Sequence, residues 1–451
     1  MTVISLSFGL RFWQLTRFND LVFDEIYFVK FAQSYLAGSP QFDAHPPLGK
    51  YFIAAGIWLS AHVPIISWPF ATAVNPETGL SPFSYRWMNA LIGSCIPVLV
   101  MAIAHTLCQW KSTAKQKTFV LLSGFFVAID GLFVTESRYA LLNIYMVFFG
   151  LLGHWLWLQA TLRADADERL SGKVYRVLAG VALGGAIAVK WNGLGYLLSL
   201  LLWDMFARKS WQVNTRRSRH YLLEGLIYGI LTPIFTYSLI WWPHLYLTGE
   251  SLMQVHANLL SFHQQLAPLG HPACSKWYTW PLLIKPIAYW YKSTGTQAYT
   301  VNNLGNPALW WLSGSAITLL FLQRASNTLR SLQRKLTDKP VPISSTAPNL
   351  STSYLGTYLL IGYAANWLPW IVVDRCTFIY LYMPAAVFSF MVLACLLGEW
   401  LYSPTRTLSR TMGIAVLGII IMAFLFWLPL SIGSPLSLKS LQLRWWLKSW
   451  I

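Results

Sequence analysis

Long apolar runs, broken by shorter polar segments, cover most of the chain. Eleven runs approach the ~20 residues that an α-helix needs to cross a bilayer. They lie near 1–16, 86–108, 118–135, 141–162, 176–190, 192–207, 221–242, 308–323, 354–373, 376–400 and 411–430. The pattern therefore predicts an all-α polytopic membrane protein with about eleven transmembrane helices.

The first run is short and carries Arg11 near its end. No small-residue cleavage site follows it, so a cleavable signal peptide is not predicted. Either this span begins upstream of Met1, or Arg11 extends from its end toward the lipid headgroups.

The basic residues predict how the helices are oriented. Five connecting segments hold more than half of the 33 lysines and arginines. All five fall on one side of the membrane if the eleven spans are right, and the positive-inside rule makes that side cytoplasmic. The turn at Lys190-Trp191-Asn192 then faces outward, as do the segments 17–85 and 243–307 and the tail after 430. The basic segments are Lys111–Lys117, Arg163–Arg176, Arg208–Arg219, Arg324–Lys339 and Arg406–Arg410.

Two outer loops of the chain are unusually long. The loops span 17–85 and 243–307, far more than the ~15 residues of an ordinary connection. Within the first, Leu48–Ala61 is too short to span, and it predicts a helix that lies along the membrane surface or re-enters it. We therefore divide the chain into an N-terminal transmembrane region, 1–242, the second outer loop, 243–307, and a C-terminal region of four to five helices, 308–451.

The composition agrees with a membrane protein and narrows its function. The chain is 55% hydrophobic and 11% charged, whereas soluble proteins have about 25% charged residues. The net charge is +17, but no soluble basic domain gathers this charge, so nucleic-acid binding is not indicated. The five cysteines show no spacing typical of a metal site, and three lie in apolar runs, where cysteine is usually inert.

An adjacent carboxylate pair, Asp24 and Glu25, lies just beyond the first apolar run. One interpretation is a solvated loop surface. The neighbours Phe23 and Phe28 favour another, because partial burial beside a bilayer raises the pKa and the basicity of a carboxylate. Such a group can accept the proton of an attacking hydroxyl. One of the pair would be the base, while the other orients the acceptor or pairs with an arginine.

Basic residues on the same predicted face supply the positive charge that a phosphate leaving group requires. Pro46-Pro47 predicts a helix start, where free N–H groups bind anions, and Lys50 lies in its first turn. Arginine is the better phosphate clamp because its guanidinium binds in a bidentate manner. The alternatives are a snorkelling lysine, and arginines paired with nearby acids such as Glu136 and Asp374. The candidate arginines, all at outer ends of predicted spans, are Arg86, Arg138 and Arg375.

The second outer loop carries histidines and aromatic residues. His256, His263 and His271 are seven and eight positions apart, which does not match common zinc sites, so polar or acceptor contacts are preferred to a metal. The aromatic segment that starts at Lys276-Trp277 and includes Trp280 fits packing at the membrane interface or a groove for a sugar or peptide.

Several motifs follow one another along the chain. They are Phe23-Asp24-Glu25, Phe42 to Lys50 (FDAHPPLGK), Asp130 to Arg138 (DGLFVTESR), Ala188 to Leu194 (AVKWNGL), His271-Pro272, Ser275-Lys276-Trp277, Trp280-Pro281-Leu282, Leu304-Gly305-Asn306-Pro307 and Arg375 to Pro384. Each motif alone is weak, but in this order they are specific. Together they resemble the protein O-mannosyltransferase family, whose members use polyprenyl- or dolichyl-phosphate mannose as donor.

The resemblance implies a GT-C glycosyltransferase fold with eleven spans and a catalytic acidic pair in the first outer loop, with Asp24 as the base. It also implies that Arg11, Asp43 and Arg138 support the site. We add His45 and Glu136 to these supporting residues, and we assign His271, Lys276, Trp277 and Trp280 of the second outer loop to the acceptor side.

The chain departs from eukaryotic members of that family in three places. They carry a large MIR domain in the second outer loop, which here spans only 243–307. They have His-Tyr where this chain has Leu381-Tyr382, and His45 follows Ala44 rather than Val. The chain therefore resembles a compact bacterial member, and acceptor recognition is less defined than donor chemistry.

The leading hypothesis is inverting transfer of mannose from a polyprenyl-phosphate mannose to Ser or Thr hydroxyls of exported proteins. The site would face outward from a bacterial plasma membrane. An alternative keeps the donor and moves the sugar to a glycolipid or cell-wall glycan. A transporter or flippase is less favoured, because most acids lie outside the span centres and no internal repeat is present. No cofactor is required, since cations can neutralise the phosphate, and a divalent cation is not indicated. The sequence leaves open whether the protein forms a dimer.

Overall fold

The structure, a computed structural model, describes residues 2–63, 74–108, 113–165, 169–209, 223–265, 270–337, 354–402 and 407–450. Parts of the basic connecting segments, including 210–219, lie outside these residues. Sixteen α-helices of the described chain are named here in order. They are α1 (Thr2–Phe12), α2 (Glu25–Leu36), α3 (Leu48–His62), α4 (Pro82–Leu107), α5 (Ala114–Ile129), α6 (Gly131–Arg138), α7 (Asn143–Asp165), α8 (Arg169–Val189), α9 (Leu194–Lys209), α10 (Leu223–Thr248), α11 (Leu252–Gln265), α12 (Pro307–Thr337), α13 (Tyr354–Trp367), α14 (Met383–Leu401), α15 (Thr407–Ile432) and α16 (Leu438–Gln442).

Among the described residues, six helices are long and apolar enough to cross a membrane: α4, α7, α8, α10, α14 and α15. The bent pair α5–α6 makes a seventh if it is one span. The predicted runs 1–16, 192–207, 308–323 and 354–373 do hold helices, but these are shorter or less apolar. A multi-pass helical membrane protein is therefore confirmed, and the count of eleven stays a prediction.

The bend of 58° between α5 and α6 is built by Asp130. Its side chain accepts a hydrogen bond from the Phe133 N–H at 3.2 Å and so caps the start of α6. The other carboxylate oxygen accepts from the Asn306 N–H at 2.9 Å and from the Trp310 indole at 2.7 Å. Asp130 therefore breaks an apolar run and turns α6 toward the second outer loop.

That loop contains a small antiparallel sheet, which the sequence analysis did not predict. Strands β1 (Ile287–Ser293) and β2 (Gln297–Asn303) form a hairpin, and β3 (Leu436–Ser437) pairs with the far side of β2. The register shifts between Ala288 and Trp290, so Tyr289 is the extra residue of a β-bulge. Since β3 belongs to the tail after 430, the tail and the second outer loop lie on the same face, as predicted.

A disulfide joins Cys274 in the second outer loop to Cys376, which precedes α14. Beside it, the Ser275 N–H donates to the Thr377 carbonyl at 2.8 Å, and the Thr377 hydroxyl donates back to the Ser275 carbonyl at 2.6 Å. The sequence analysis did not predict this disulfide, because the two cysteines are 102 positions apart and are brought together only by the fold.

Candidate active site

A cavity of about 590 Å³ opens where the first outer loop meets three other outer segments. It is lined mostly by aromatic side chains, with a few charged groups among them. The lining residues are Asp24, Tyr27, Phe28, Phe31, Phe42, Asp43, Ala44, His45, Pro46, Lys190, Trp191, Asn192, Phe262, His263, Trp370, Arg375, Phe378, Tyr380 and Leu381. A concave, largely apolar site with a few convergent charges is the usual form of a ligand pocket.

Asp24 is one of two carboxylates that line this cavity, and the other, Asp43, is paired with Lys50. Asp24 stands at the N-cap of α2, but its side chain does not cap the helix. The preceding residue, Phe23, has a φ of 53°, a left-handed conformation that a phenylalanine rarely adopts. The Phe23 ring is held by stacking on Tyr289, with 4.0 Å between ring centroids and 9° between planes. This unusual turn directs Asp24 into the cavity.

The cavity also raises the basicity of Asp24. Burial raises the pKa of its carboxyl to about 6, Lys190 opposes this shift, and Asp43 adds to it. His45 has the opposite response, because burial and then the charges of Lys190 and Lys50 hold its pKa well below the usual value. At neutral pH the site therefore combines an ionised but basic carboxylate with an uncharged imidazole.

Lys190 and Arg375 bring positive charge to the cavity wall. Lys190 follows the end of α8 in an extended conformation, and its ammonium donates to the side-chain amide oxygen of Asn143 at 3.0 Å. It also lies 5.1 Å from the centroid of the Tyr380 ring. Arg375 is half-buried, and its guanidinium donates to the carbonyl of its neighbour Cys376 at 3.3 Å. Two cations thus share a single cavity with two carboxylates, Asp24 and the Lys50-paired Asp43.

Glu25 does not share it, although it is adjacent to Asp24. Its two oxygens lie 2.9 and 2.7 Å from the Nε and Nη2 atoms of Arg86, and both side chains are fully buried. Glu25 also accepts from the Val22 and Ala140 N–H groups, each at 2.8 Å. A catalytic role for Glu25 and a phosphate contact for Arg86 are therefore corrected. The alternative, an acid paired with an arginine, is what the structure shows.

Lys50 likewise forms a buried ion pair, in this case with Asp43. Its ammonium lies 2.5 Å from the Asp43 carboxylate and donates to the His45 carbonyl at 2.8 Å, with both charged side chains almost buried. The helix start at Pro46-Pro47 is confirmed, but Lys50 does not line the cavity. The expected phosphate contact is corrected to a clamp that shapes the 43–47 loop, because Asp43 neutralises the charge.

Arg138 and Arg11 act on helix ends rather than on the cavity. Arg138 donates to the Leu10 and Arg11 carbonyls at 2.8 and 3.2 Å, near the C-terminus of α1. Arg11 donates to the Ser137 hydroxyl at 3.1 Å and to carbonyls near the end of α5. Neither lines the cavity, so the predicted contact of Arg138 with the donor phosphate is corrected to a structural role. Both support the site only by fixing α1 against α5 and α6.

Glu136 is buried and does not itself line the cavity. It accepts from the Tyr289 hydroxyl at 2.5 Å, from the Asn303 amide at 2.7 Å and from the Asn143 amide at 3.0 Å. It is therefore not paired with Arg138. Because Asn143 also holds Lys190, Glu136 fits the supporting role that the sequence analysis expected.

The four acceptor-side residues do not line the cavity. Trp280 is fully buried, and its indole donates to the Ser275 hydroxyl at 2.9 Å. The predicted contact of Trp280 with the acceptor is therefore corrected to a packing role. Trp277 packs on Trp367 with 4.9 Å between ring centroids. His271 and Lys276 are exposed, and His271 contacts Phe378 of the cavity wall.

Comparison with known proteins places this arrangement in a family. Residues 1–248 match the dolichyl-phosphate-mannose-protein mannosyltransferase family, and residues 248–450 match the C-terminal four TMM region of protein-O-mannosyltransferase. The chain belongs to the protein O-mannosyltransferase family. It is therefore a glycosyltransferase, and the resemblance noted in its motifs is confirmed.

The relatives of this mannosyltransferase include bacterial and yeast proteins. The polyprenol-phosphate-mannose–protein mannosyltransferases of Mycolicibacterium smegmatis and Corynebacterium glutamicum are 26% and 25% identical, and each match covers 90% of this chain and 81% of the relative. The Saccharomyces cerevisiae Pmt1-Pmt2 complex bound to the sugar donor has a TM-score of 0.81 at 15% identity, covering 100% of this chain and 92% of that chain. The expected GT-C fold is thereby confirmed.

Sequence reasoning missed Lys190 as a site residue of the mannosyltransferase, although it noted the turn that contains it. The available signal was a lone charge between two apolar runs, on the predicted outer face, where an ionisable residue is costly and tends to be functional. Lys50 drew attention instead because it lies in the first turn of the helix that Pro46-Pro47 predicts. His263 and Tyr380 join the cavity only through tertiary contacts, which the sequence does not reveal.

Proposed function

We propose that the protein transfers mannose from a polyprenyl-phosphate mannose to Ser and Thr hydroxyls of exported proteins, on the outer face of a bacterial plasma membrane. One observation carries the residue roles: Asp24, with a carboxylate that does not cap its helix, lines the same cavity as Lys190 and Arg375. The names of the bacterial relatives support the donor and the protein acceptor.

The reaction needs one base and one anion-binding group. Asp24 accepts the proton of the acceptor hydroxyl while the oxygen attacks the anomeric carbon and forms the new C–O bond. The bond from that carbon to the phosphate oxygen breaks, and polyprenyl phosphate leaves with its electron pair. Lys190 and Arg375 stabilise the charge that develops on the phosphate. A single displacement inverts the configuration at the anomeric carbon.

We propose that these cations make a metal ion unnecessary. The prediction is that mannose transfer by the purified protein persists after treatment with EDTA. A loss of activity that Mg²⁺ or Mn²⁺ restores would contradict it.

Two observations support an outward-facing site. The Cys274–Cys376 disulfide lies beside Arg375, and disulfides persist mainly in oxidising compartments outside the cytosol. The basic connecting segments favour the same orientation. In intact cells, an impermeant maleimide should label Ser39→Cys in the first outer loop but not Lys117→Cys at the start of α5. The reverse pattern would refute the orientation.

The decisive experiment is mannose transfer from a synthetic polyprenyl-phosphate mannose to a Ser/Thr peptide by purified protein. Asp24→Asn should lower the rate of mannose transfer at least ~100-fold, as expected for loss of a general base. The matched control Asp20→Asn changes an exposed carboxylate four positions away and should leave the rate unchanged. Transfer to a glycolipid but not to peptide would favour the alternative acceptor class. An unaffected Asp24→Asn would refute the proposed base.

Because the yeast relative is a Pmt1-Pmt2 complex, we also propose that two copies of this chain associate. The mass of the purified protein in detergent, measured by light scattering, tests this. A monomer that is fully active would contradict it.

A further inference from the structure

We infer that Tyr289, in the hairpin of the second outer loop, is a positioning residue that holds both sides of the catalytic pair. The inference rests on the proposed function, since it concerns how Asp24 and Lys190 are placed. Tyr289 does not line the cavity. It acts through other residues by two separate parts of its side chain, the ring and the hydroxyl.

The ring of Tyr289 holds the carboxylate side. It stacks on Phe23 with 4.0 Å between centroids and 9° between planes. Phe23 has a φ of 53° and immediately precedes Asp24. A left-handed phenylalanine persists only where its surroundings stabilise it. The stacking therefore fixes the turn that presents Asp24 to the cavity.

The hydroxyl of Tyr289 holds the cation side through a chain of hydrogen bonds. It donates to Glu136 at 2.5 Å, and the other Glu136 oxygen accepts from the Asn143 amide nitrogen at 3.0 Å. This bond orients the Asn143 amide so that its carbonyl oxygen accepts from the Lys190 ammonium at 3.0 Å. Loss of the hydroxyl would let Glu136, and with it Lys190, shift.

The backbone of the hairpin is shaped for this contact. Tyr289 is the extra residue of the β-bulge in β1, and bulges near active sites commonly redirect a side chain. Asn303 on β2 donates to the same Glu136 oxygen at 2.7 Å, and the Thr135 hydroxyl donates to the Asn302 carbonyl at 3.1 Å. The hairpin is thus anchored on α6, and Tyr289 is aimed inward from it.

Two substitutions separate the ring from the hydroxyl. Tyr289→Phe keeps the ring and removes only the oxygen, so the donor KM should rise roughly fivefold to tenfold with little change in kcat. Tyr289→Leu also removes the stacking partner of Phe23, so kcat should fall by roughly a hundredfold in addition. Tyr291→Phe, on the same strand but exposed, is the matched control and should change neither.

A double-mutant cycle distinguishes positioning from general stability. If Tyr289 acts through Lys190, Tyr289→Phe should have no further effect on donor KM in a Lys190→Gln background. Additive effects of the two substitutions would overturn the inference, as would an unchanged donor KM in Tyr289→Phe. If Tyr289→Phe fails to fold, Asn143→Ala is tested in the same cycle, because it removes the next hydrogen bond between Tyr289 and Lys190.

A binding measurement separates this inference from the proposed function. The Kd for polyprenyl phosphate, measured in detergent, should rise in Tyr289→Phe by the same factor as the donor KM. If the wild-type protein binds polyprenyl phosphate but transfers no mannose, the proposed function fails while the Kd shift still tests Tyr289. If it transfers mannose and the Kd is unchanged in Tyr289→Phe, only the role of Tyr289 is overturned.

Discussion

The ionisation of Asp24 determines how the activity depends on pH. Burial raises the pKa of its carboxyl to about 6. If Asp24 must be ionised to accept the proton, kcat/KM follows the ionised fraction, which is about 90% at pH 7, about 50% at pH 6 and about 9% at pH 5. Activity should therefore fall about tenfold between pH 7 and pH 5, whereas an unperturbed aspartate would remain almost fully ionised over that range.

Two substitutions should move this acid limb in opposite directions. Lys190 lowers the pKa of Asp24, so Lys190→Met should move the limb to higher pH, in addition to reducing the rate. Asp43 raises that pKa, so Asp43→Asn should move the limb to lower pH. The second change also frees the positive charge of Lys50 from its partner, which acts in the same direction.

The assay is the initial rate of mannose transfer to a peptide between pH 5 and pH 8 at subsaturating donor. Asp20→Asn is the control and should leave the limb where it is. A rate that is flat down to pH 5 would refute the role of Asp24 as the ionised base. Shifts of the same sign in Lys190→Met and Asp43→Asn would refute the electrostatic reasoning.

Three further predictions concern the charges and cross-link around the cavity. Arg86→Met leaves Glu25 buried without a charged partner, and it should cost about 3–5 kcal/mol of stability in detergent unfolding; a normal unfolding midpoint would contradict this. Cys274→Ser removes the link to Cys376, so it should lower the Tm to the value that the wild-type protein shows with reductant; a wild-type Tm, or one insensitive to reductant, would contradict it. Arg375→Ala should raise the donor KM about tenfold, with partial recovery in Arg375→Lys, because a phosphate contact depends on charge; an unchanged KM would exclude that contact.

The apolar pattern predicted the helices well where local sequence decides the structure. The runs 86–108 and 411–430 became Pro82–Leu107 and Thr407–Ile432. The run 118–135 instead became two helices bent at Asp130. Asp130-Gly131 inside an apolar run is a recognisable break, but the Asn306 and Trp310 groups that hold Asp130 are distant in sequence. The bend could therefore be located from the sequence, but its direction could not.

The charged residues show the same limit more clearly. Asp24 was identified because its apolar neighbours predict partial burial. Arg86 and Lys50 were assigned to phosphate because they lie on the right face, yet each has a buried carboxylate partner in the fold. A sequence gives the position of a charge along the chain, but only the fold shows whether a second charge already neutralises it. Lys190 and Arg375 both line the cavity, and in the described part of the chain their hydrogen bonds go to uncharged oxygens of Asn143 and Cys376 rather than to a carboxylate.

The balance of these charges also bears on when Asp24 becomes reactive. In the proposed reaction the donor brings a phosphate anion into the cavity that Asp24 shares with Lys190 and Arg375. An added negative charge raises the pKa of a nearby carboxyl. It also partly neutralises the charge of Lys190, which otherwise lowers the pKa of Asp24. Asp24 is therefore a weaker base while the cavity is empty and a stronger base once the donor is bound. The site then acquires its full basicity together with the electrophile, so the same cation that binds the leaving group also regulates the base.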